Sequence, residues 1–413
     1  MEALGSYLRL DTPRPGDLPG LTALRGLAVL LVLLRHAAWP FWSSDGLAAV
    51  AGFDIGVVFV NGWIGVDLFF VLSGFLIAHH LMRAEAAGRR FELAPYLTRR
   101  FFRIAPLYYV VLALVAAGAI PFYRVGEEAL GARILWHLAF LQDYLGSDIV
   151  VAFWSLGVEE KFYLLAPVLV GVAIGVRRAA ARLAICAALI VGVVLSRGLA
   201  AHGLPSEIAY SELLKTFRFP FHHCLDGLAV GMACAIALPA LQARWSPGQA
   251  ARAGERLIRL GLAGVLAWLA GGELLSRIGR WDQVVQPTAL ALTFGVLVLG
   301  CALGGRTGLA LDRTSLRGLG QISYSAYLIH MPLIPLACLL AGAIPGRGPE
   351  GFWTFLPAFL TLSLAAALVL HFAVEKPFLR LKDRIGSPSR GGLRPSGSAR
   401  SARPSGPAPS HPG

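Results

Sequence analysis

Phe69-Phe70-Val71-Leu72-Ser73-Gly74 sits near the middle of an apolar run, 62 to 82, and reading that run as a transmembrane helix decides the fold. A helix rises about 1.5 Å per residue, so about 20 apolar residues cross about 30 Å of hydrocarbon. The rest of the chain repeats this pattern. It is 56% hydrophobic and only 15% charged, against roughly 25% charge in an ordinary soluble domain. Ten spans are expected, at about 22 to 40, 62 to 82, 101 to 120, 154 to 176, 181 to 198, 219 to 239, 257 to 273, 288 to 304, 322 to 343 and 352 to 374. The chain therefore reads as an all-α integral membrane protein with about ten transmembrane helices. Segment 133 to 142 is too short to span and is expected to be re-entrant or interfacial.

A net charge of +13 would point to nucleic acid in a soluble protein. Here its placement orients the helices instead. Arg83, Arg89, Arg90, Arg99 and Arg100 follow the second span, Arg177, Arg178 and Arg182 the fourth, Arg244, Arg252 and Arg256 the sixth, and Arg306, Arg313 and Arg317 the eighth. The alternate loops carry Asp45, Asp54, Glu127, Glu128, Asp143 and Asp148. By the positive-inside rule both termini are expected in the cytoplasm. The first span follows Arg9, Arg14 and three prolines, with no small-residue cleavage site after it, so it reads as a retained span. Cys186, Cys224, Cys234, Cys301 and Cys338 lie in or beside apolar spans without CxxC spacing, and are expected as small core residues. The expected organisation is a cytoplasmic N-terminal segment (1–17), a membrane domain (18–384) and a Ser/Pro/Gly/Arg-rich tail (385–413) too polar to fold. The tail's arginines are suited to anionic lipid on the cytoplasmic leaflet.

Several ionisable groups fall where hydrocarbon makes charge costly, which marks them as functional candidates. Arg25 stands at the expected cytoplasmic start of the first span, with His36 eleven residues on and roughly 16 Å deeper on a similar face. An imidazole titrates near neutrality, so His36 is a candidate general base toward a hydroxyl. The competing reading is a histidine bonded to a neighbouring helix. Arg35, beside it, reads as a structural or interfacial charge. Asp67, one turn into the second span, falls near the same depth. It would fix the imidazole tautomer if they met, or act as a counter-ion to Arg25 or Arg35, the reading favoured here. Ser73-Gly74 is a small, backbone-accessible point suited to close packing or to a thioester chain passing by. No base adjoins Ser73 in the sequence to make it a nucleophile.

Arg100 and Arg103 lie one turn apart and can share one anion. Guanidinium groups suit phosphate, so a phosphorylated donor such as coenzyme A is expected; the alternative is stop-transfer charge. Glu159 and Glu160, with Tyr163, are placed at the outer mouth of the fourth span. Adjacent positions point apart, so one carboxylate would orient acceptor hydroxyls and the other would pair with Lys161 or Arg218. Arg218, His222, His223 and Asp226 add polar groups at the outer start of the sixth span. Two adjacent histidines lack the i, i+4 spacing of a helical zinc pair, so no metal is expected. Tyr327 and His330, one turn apart, are expected to line the cavity, and Glu375-Lys376 reads as a cytoplasmic helix end closed by Pro377.

In this order the strings resemble acyltransferase family 3, the multi-pass membrane O-acyltransferases of bacteria, over about residues 18 to 384. The resemblance is carried by Leu24-Arg25-Gly26 with His36, Phe69-Phe70-x-x-Ser73-Gly74, Arg100-x-x-Arg103, Trp154-Ser155-Leu156 to Tyr163, Ile322-Ser323-Tyr324-Ser325 and Val374-Glu375-Lys376-Pro377. Each string is weak alone; six in register are hard to obtain by chance. The resemblance implies that His36 is catalytic, Arg25 its essential partner, and Arg100 with Arg103 the cytoplasmic contact for acyl-coenzyme A. The family's glutamine after the paired glutamates is Lys161 here, and the aspartate-like position after Arg218 is Pro220 or nearby. Both departures bear on the acceptor more than on the chemistry. Some relatives carry a soluble hydrolase-like domain after the last span, where this chain has the tail, so a single-domain enzyme is implied.

The function expected is transfer of an acyl group, by expectation acetyl, from acyl-coenzyme A to a hydroxyl of a cell-envelope or exported carbohydrate, within the bacterial inner membrane. Acyl-coenzyme A is the donor substrate and no bound cofactor is expected. The partners are that donor, a hydroxylated or lipid-linked acceptor and membrane lipid, with no nucleic acid. A secondary metabolite such as a macrolide is the alternative acceptor. Direct transfer and an acyl relay across the bilayer are both open. A transporter or flippase with buried charges along its path is the alternative of a different class. The lack of internal repeats and the phosphate-suited arginines stand against it.

Overall fold

The computed structural model describes residues 7, 10–12, 18–42, 47, 49–50, 53–88, 91–146, 148–176, 178–205, 208–271, 281–346 and 349–385. Arg9, Arg14, Asp45, Arg89, Arg90, Arg177 and the expected tail beyond Ile385 lie outside the described residues. In chain order come α1 (Leu21–Ala38), α2 (Gly65–Ala86), α3 (Leu93–Ala116), α4 (Leu130–Leu138), α5 (Trp154–Gly175), α6 (Ala179–His202), α7 (Leu225–Arg244), α8 (Pro247–Ala270) and α9 (Asp282–Ala302). After them follow α10 (Ser315–Gln321), α11 (Ser323–Ile329), α12 (Ile334–Ala341), α13 (Pro349–Leu370) and α14 (Lys376–Ile385). Among the described residues the β-structure is one two-residue antiparallel pair between α1 and α2, with Ala49 opposite Asp54 and Val50 opposite Phe53.

Six helical runs are long and apolar enough to cross a membrane: Leu21–Phe41, Gly56–Ala86, Ala179–His202, Leu225–Arg244, Asp282–Ala302 and Glu350–Lys382. Ser323–Ile329 with Met331–Ala341, bent by 50°, makes a seventh if the pair is one span. The count of ten is therefore not confirmed. The other three expected spans are helices of adequate length, α3, α5 and α8 at 24, 22 and 24 residues. Their charges lower their apolarity: Arg99, Arg100 and Arg103; Glu159, Glu160 and Lys161; Arg252, Glu255, Arg256 and Arg259. The segment expected to be too short is indeed a short helix, α4, followed by Gln142–Leu145.

In lipid no hydrophobic force drives helices together, so small residues that let backbones meet do much of the packing. A Cβ on Gly74 of α2 would strike the Leu228 carbonyl of α7, and one on Gly231 of α7 would strike the Val71 carbonyl of α2. The same reciprocal contact joins α1 to α10, through Gly26 against Leu316 and Gly320 against Thr22. Gly74, expected near the donor, is thus used for packing. On α6, Val191, Leu195 and Leu199 remain exposed, the surface expected to face lipid. Its inner face is tied by one polar clasp. Buried Arg197 reaches Asp226 of α7 at 2.8 and 2.9 Å, and Asp226 also accepts from Thr288 of α9 at 2.6 Å.

Candidate active site

A partly open cavity of about 1060 Å³ is lined by α1, α2, α3, α5, α11 and α14, just above the roughly 300–1,000 Å³ typical of small-molecule sites. Helical phase brings its polar residues together. Arg25 comes from the second turn of α1, Ser73 from α2, Arg100 and Arg103 from adjacent turns of α3, Glu159 and Tyr163 (i, i+4) from α5, and Tyr327 from α11. Ser73 Oγ donates to Glu159 Oε1 at 3.2 Å and Tyr163 OH donates to Oε2 at 3.0 Å, which fixes the carboxylate between two helices. The Arg100 guanidinium lies 5.2 Å from the Tyr163 ring centre and 5.6 Å from that of Tyr96. Among the described residues, none of Arg25, Arg100 and Arg103 forms an ion pair with a carboxylate. Glu159 and Glu375 act on Arg25 only at longer range.

Several expected partnerships are replaced. Neither Glu159 nor Glu160 pairs with Lys161 or Arg218. Lys161 Nζ binds Asp143 at 2.6 Å, and Arg218 Nη2 binds Asp67 at 2.7 Å. Glu160 is not among the residues that line the cavity, and its Oε1 is buried without a hydrogen bond. Ser73 does have a carboxylate beside it, supplied by α5 across 86 residues of sequence. On the short helix outside the spans, burial pushes the Asp143 carboxyl above its ordinary range while Lys161 pulls it back. His222 and His223 face Tyr144 OH at 2.9 Å and the Thr216 carbonyl at 2.7 Å.

His36 and His330 lie together just past Tyr327, outside the residues that line the cavity. Their rings are 4.9 Å apart, with His36 Nδ1 3.0 Å from the Val32 carbonyl and 3.1 Å from His330 Nε2. Tyr327 lines the cavity, as expected, and His330 does not. Tyr327 OH donates to the Ala152 carbonyl at 2.8 Å and lies 2.6 Å from Ser155 Oγ, while Phe69 meets its ring edge-on at 6.1 Å. Asp67 does not reach His36. It is a counter-ion, but to Arg218, whose guanidinium stacks 4.8 Å over Trp63. Arg35 is buried, bonded to Tyr210 OH at 3.2 Å and stacked at 4.1 Å on Trp39, a structural arrangement.

The sequence reading took Glu375 for a helix end and gave it no place among the site residues. The chain does not end a helix there; a π-helical turn, His371–Glu375, carries α13 on into α14. Such turns often mark functional sites. Glu375 is buried, accepting from Ser325 Oγ at 2.7 Å and lying 2.8 Å from His371 Nδ1. The i, i+4 spacing of His371 and Glu375 was the available signal. His80 and Lys382 also line the cavity beside Arg100 and Arg103. His80 follows Ser73 by one heptad on the same face of α2, which was legible but unused.

The model of the acyltransferase domain family matches residues 18–372. A putative peptidoglycan O-acetyltransferase of Bacillus subtilis is 26% identical over 385 residues, covering 87% of this chain and 54% of the relative. The chain thus spans about half the length of that relative. An acyltransferase of Streptomyces mycarofaciens is 28% identical over 396 residues, covering 90% of this chain and 94% of the relative. A peptidoglycan O-acetyltransferase of Listeria monocytogenes is 29% identical over 162 residues, 36% of this chain and 23% of its own. No solved structure matches.

Proposed function

This chain belongs to the acyltransferase family whose domain model covers residues 18–372, an enzyme transferring groups other than aminoacyl groups, and on that premise we propose that it moves an acetyl group from acetyl-coenzyme A to a hydroxyl of a cell-envelope carbohydrate. The observation that carries the donor half is the cavity. Three guanidinium groups, Arg25, Arg100 and Arg103, line one space without a carboxylate partner of their own among the described residues. Unpaired cations in a low-dielectric site favour a polyanion, and arginine's planar fork fits phosphate oxygens. Arg100 and Arg103, with His80 and Lys382 nearby, hold the nucleotide phosphates at the cytoplasmic mouth. The pantetheine arm runs past Ser73 toward Tyr327.

The carbohydrate acceptor rests on the names of the relatives, one a peptidoglycan O-acetyltransferase and another named as a putative one. It approaches from the His36 side of Tyr327, in a protein of the inner membrane with both termini cytoplasmic. Glu159 and Tyr163 orient groups at the thioester end. His36 takes the proton of the acceptor hydroxyl as its oxygen bonds the thioester carbonyl carbon; the carbon–sulfur bond breaks and the departing thiolate recovers the proton.

The test uses purified protein in detergent, radiolabelled acetyl-coenzyme A, and peptidoglycan fragments or lipid-linked disaccharide as acceptors. Label should appear on the glycan with stoichiometric free coenzyme A, and His36→Ala should abolish transfer while leaving the folded protein intact. Glycan movement across a vesicle membrane without coenzyme A release would overturn the proposal.

A further inference from the structure

The two histidines beyond Tyr327 determine one another's protons. His330 Nδ1 faces only backbone carbonyls, Tyr327 O at 2.7 Å and Ala326 O at 3.2 Å. A carbonyl accepts and never donates, so this nitrogen carries the hydrogen. His330 is fully buried, and a second proton there would place an uncompensated charge among apolar helices. Its Nε2 is then a bare lone pair. That lone pair points at His36 Nδ1, 3.1 Å away, and the same His36 Nδ1 lies 3.0 Å from the Val32 carbonyl. Two acceptors converge on one nitrogen, so His36 Nδ1 also carries its hydrogen, shared between them. His36 Nε2 is left unprotonated and, among the described residues, makes no hydrogen bond.

We propose that His330 is the positioning residue of this enzyme: it accepts the Nδ1 hydrogen of His36, holds the imidazole in one tautomer and one ring orientation, and so presents His36 Nε2 as the base. In many hydrolases a carboxylate holds the base this way. Here the carboxylate that might have done so, Asp67, is committed to Arg218, and a neutral imidazole takes the place. A neutral acceptor stabilises the imidazolium less than a carboxylate would. It also avoids burying an anion at that depth, where charge is costly. The proposal rests on reading His36 as the base, so its test has one arm that does not depend on turnover.

In that arm, protein labelled with 15N-histidine is studied by NMR, and the His36 signals are assigned by difference against His36→Gln. His36 should show a protonated, pyrrole-type Nδ1 and a bare, pyridine-type Nε2. His330→Leu should mix the two tautomers, whereas His330→Gln, whose side-chain oxygen still accepts, should restore the single form. A hydrogen on His36 Nε2 in the unmodified protein, or no change in His330→Leu, overturns the proposal. In the kinetic arm, with labelled acetyl-coenzyme A and peptidoglycan fragments, His330→Leu should lower kcat about 10- to 100-fold, as loss of an orienting partner commonly does. KM for acetyl-coenzyme A should stay unchanged, and His330→Gln should recover most of the rate. Equal losses in His330→Leu and His330→Gln would overturn the tautomer argument. The expected NMR result with no transfer to any glycan would uphold it and sink the functional reading instead.

Discussion

Two sets of arginines differ in what meets their charge, Arg197 and Arg218 in the buried core and Arg25, Arg100 and Arg103 half-buried around the cavity, and the contrast separates what holds the fold from what the cavity offers a ligand. Arg197 and Arg218 are each locked onto an aspartate, Asp226 and Asp67, at 2.8 and 2.7 Å. Arg197 is satisfied further by the His223 carbonyl and lies next to Thr288. Arg25, Arg100 and Arg103 line open space and have no such partner among the described residues. Charge inside hydrocarbon is costly either way. Where the cost is met within the chain, the arginine is structural; where it is left for something else to meet, the arginine waits for an anion.

Substitution can break that contrast, and the largest effect is expected at Arg197. Arg197→Met leaves Asp226 buried without its cation, which should cost about 3–5 kcal/mol in unfolding measured in detergent, and activity should fall only with the folded fraction. Arg197→Met combined with Asp226→Leu should recover much of the loss, because both charges are then gone. Next come Arg100→Ala and Arg103→Ala. A charge-assisted hydrogen bond contributes about 1.5–3 kcal/mol, so each should raise the apparent Kd for coenzyme A about 10- to 100-fold by calorimetry, with unfolding unchanged. If these two variants unfold like Arg197→Met, the distinction fails. Lys161→Met should cost less, about 1–3 kcal/mol: the Asp143 carboxylate it leaves behind is fully buried, but Lys161 is itself 21% exposed and burial already favours the protonated form of Asp143. Arg259→Ala sets the floor. Its side chain is 75% exposed in a surface i, i+4 pair, so any change above about 0.5 kcal/mol would discredit the scale.

How much of this was legible depended on whether a signal was local. Apolar length placed a helix on every one of the ten expected segments, because span length is a one-dimensional property. It did not say which of them cross the membrane alone, since α3, α5 and α8 carry charge whose burial only tertiary packing decides. Arg25, Arg100 and Arg103 were read from sequence as site residues and converge on one cavity, whereas Glu159 and Tyr163, expected at the outer mouth, lie in that same cavity beside them. Their pairings were not readable. Asp67 finds Arg218 across 151 residues, and His36 finds His330 across 294. No periodicity reports such a contact. The Glu375 turn was misread because Pro377 looks like a stop, yet proline is tolerated in the first turn of a helix that begins just before it.

The glycine contacts set a limit on how the cavity can adapt. Where α2 meets α7 and α1 meets α10, backbone touches backbone, and neither side has a side chain to rotate out of the way. That wall is an anvil. Other parts of the lining are built of rings: Tyr163 lies under Arg100, and Phe69 of α2 meets Tyr327 of α11 edge-on with centres 6.1 Å apart. Rings packed this way can slide with little loss of contact. Room for acyl chains of different length is therefore to be sought at the thioester end, where Phe69 faces Tyr327, and bulk added at Phe69 is the place to trim the longest chain the enzyme accepts.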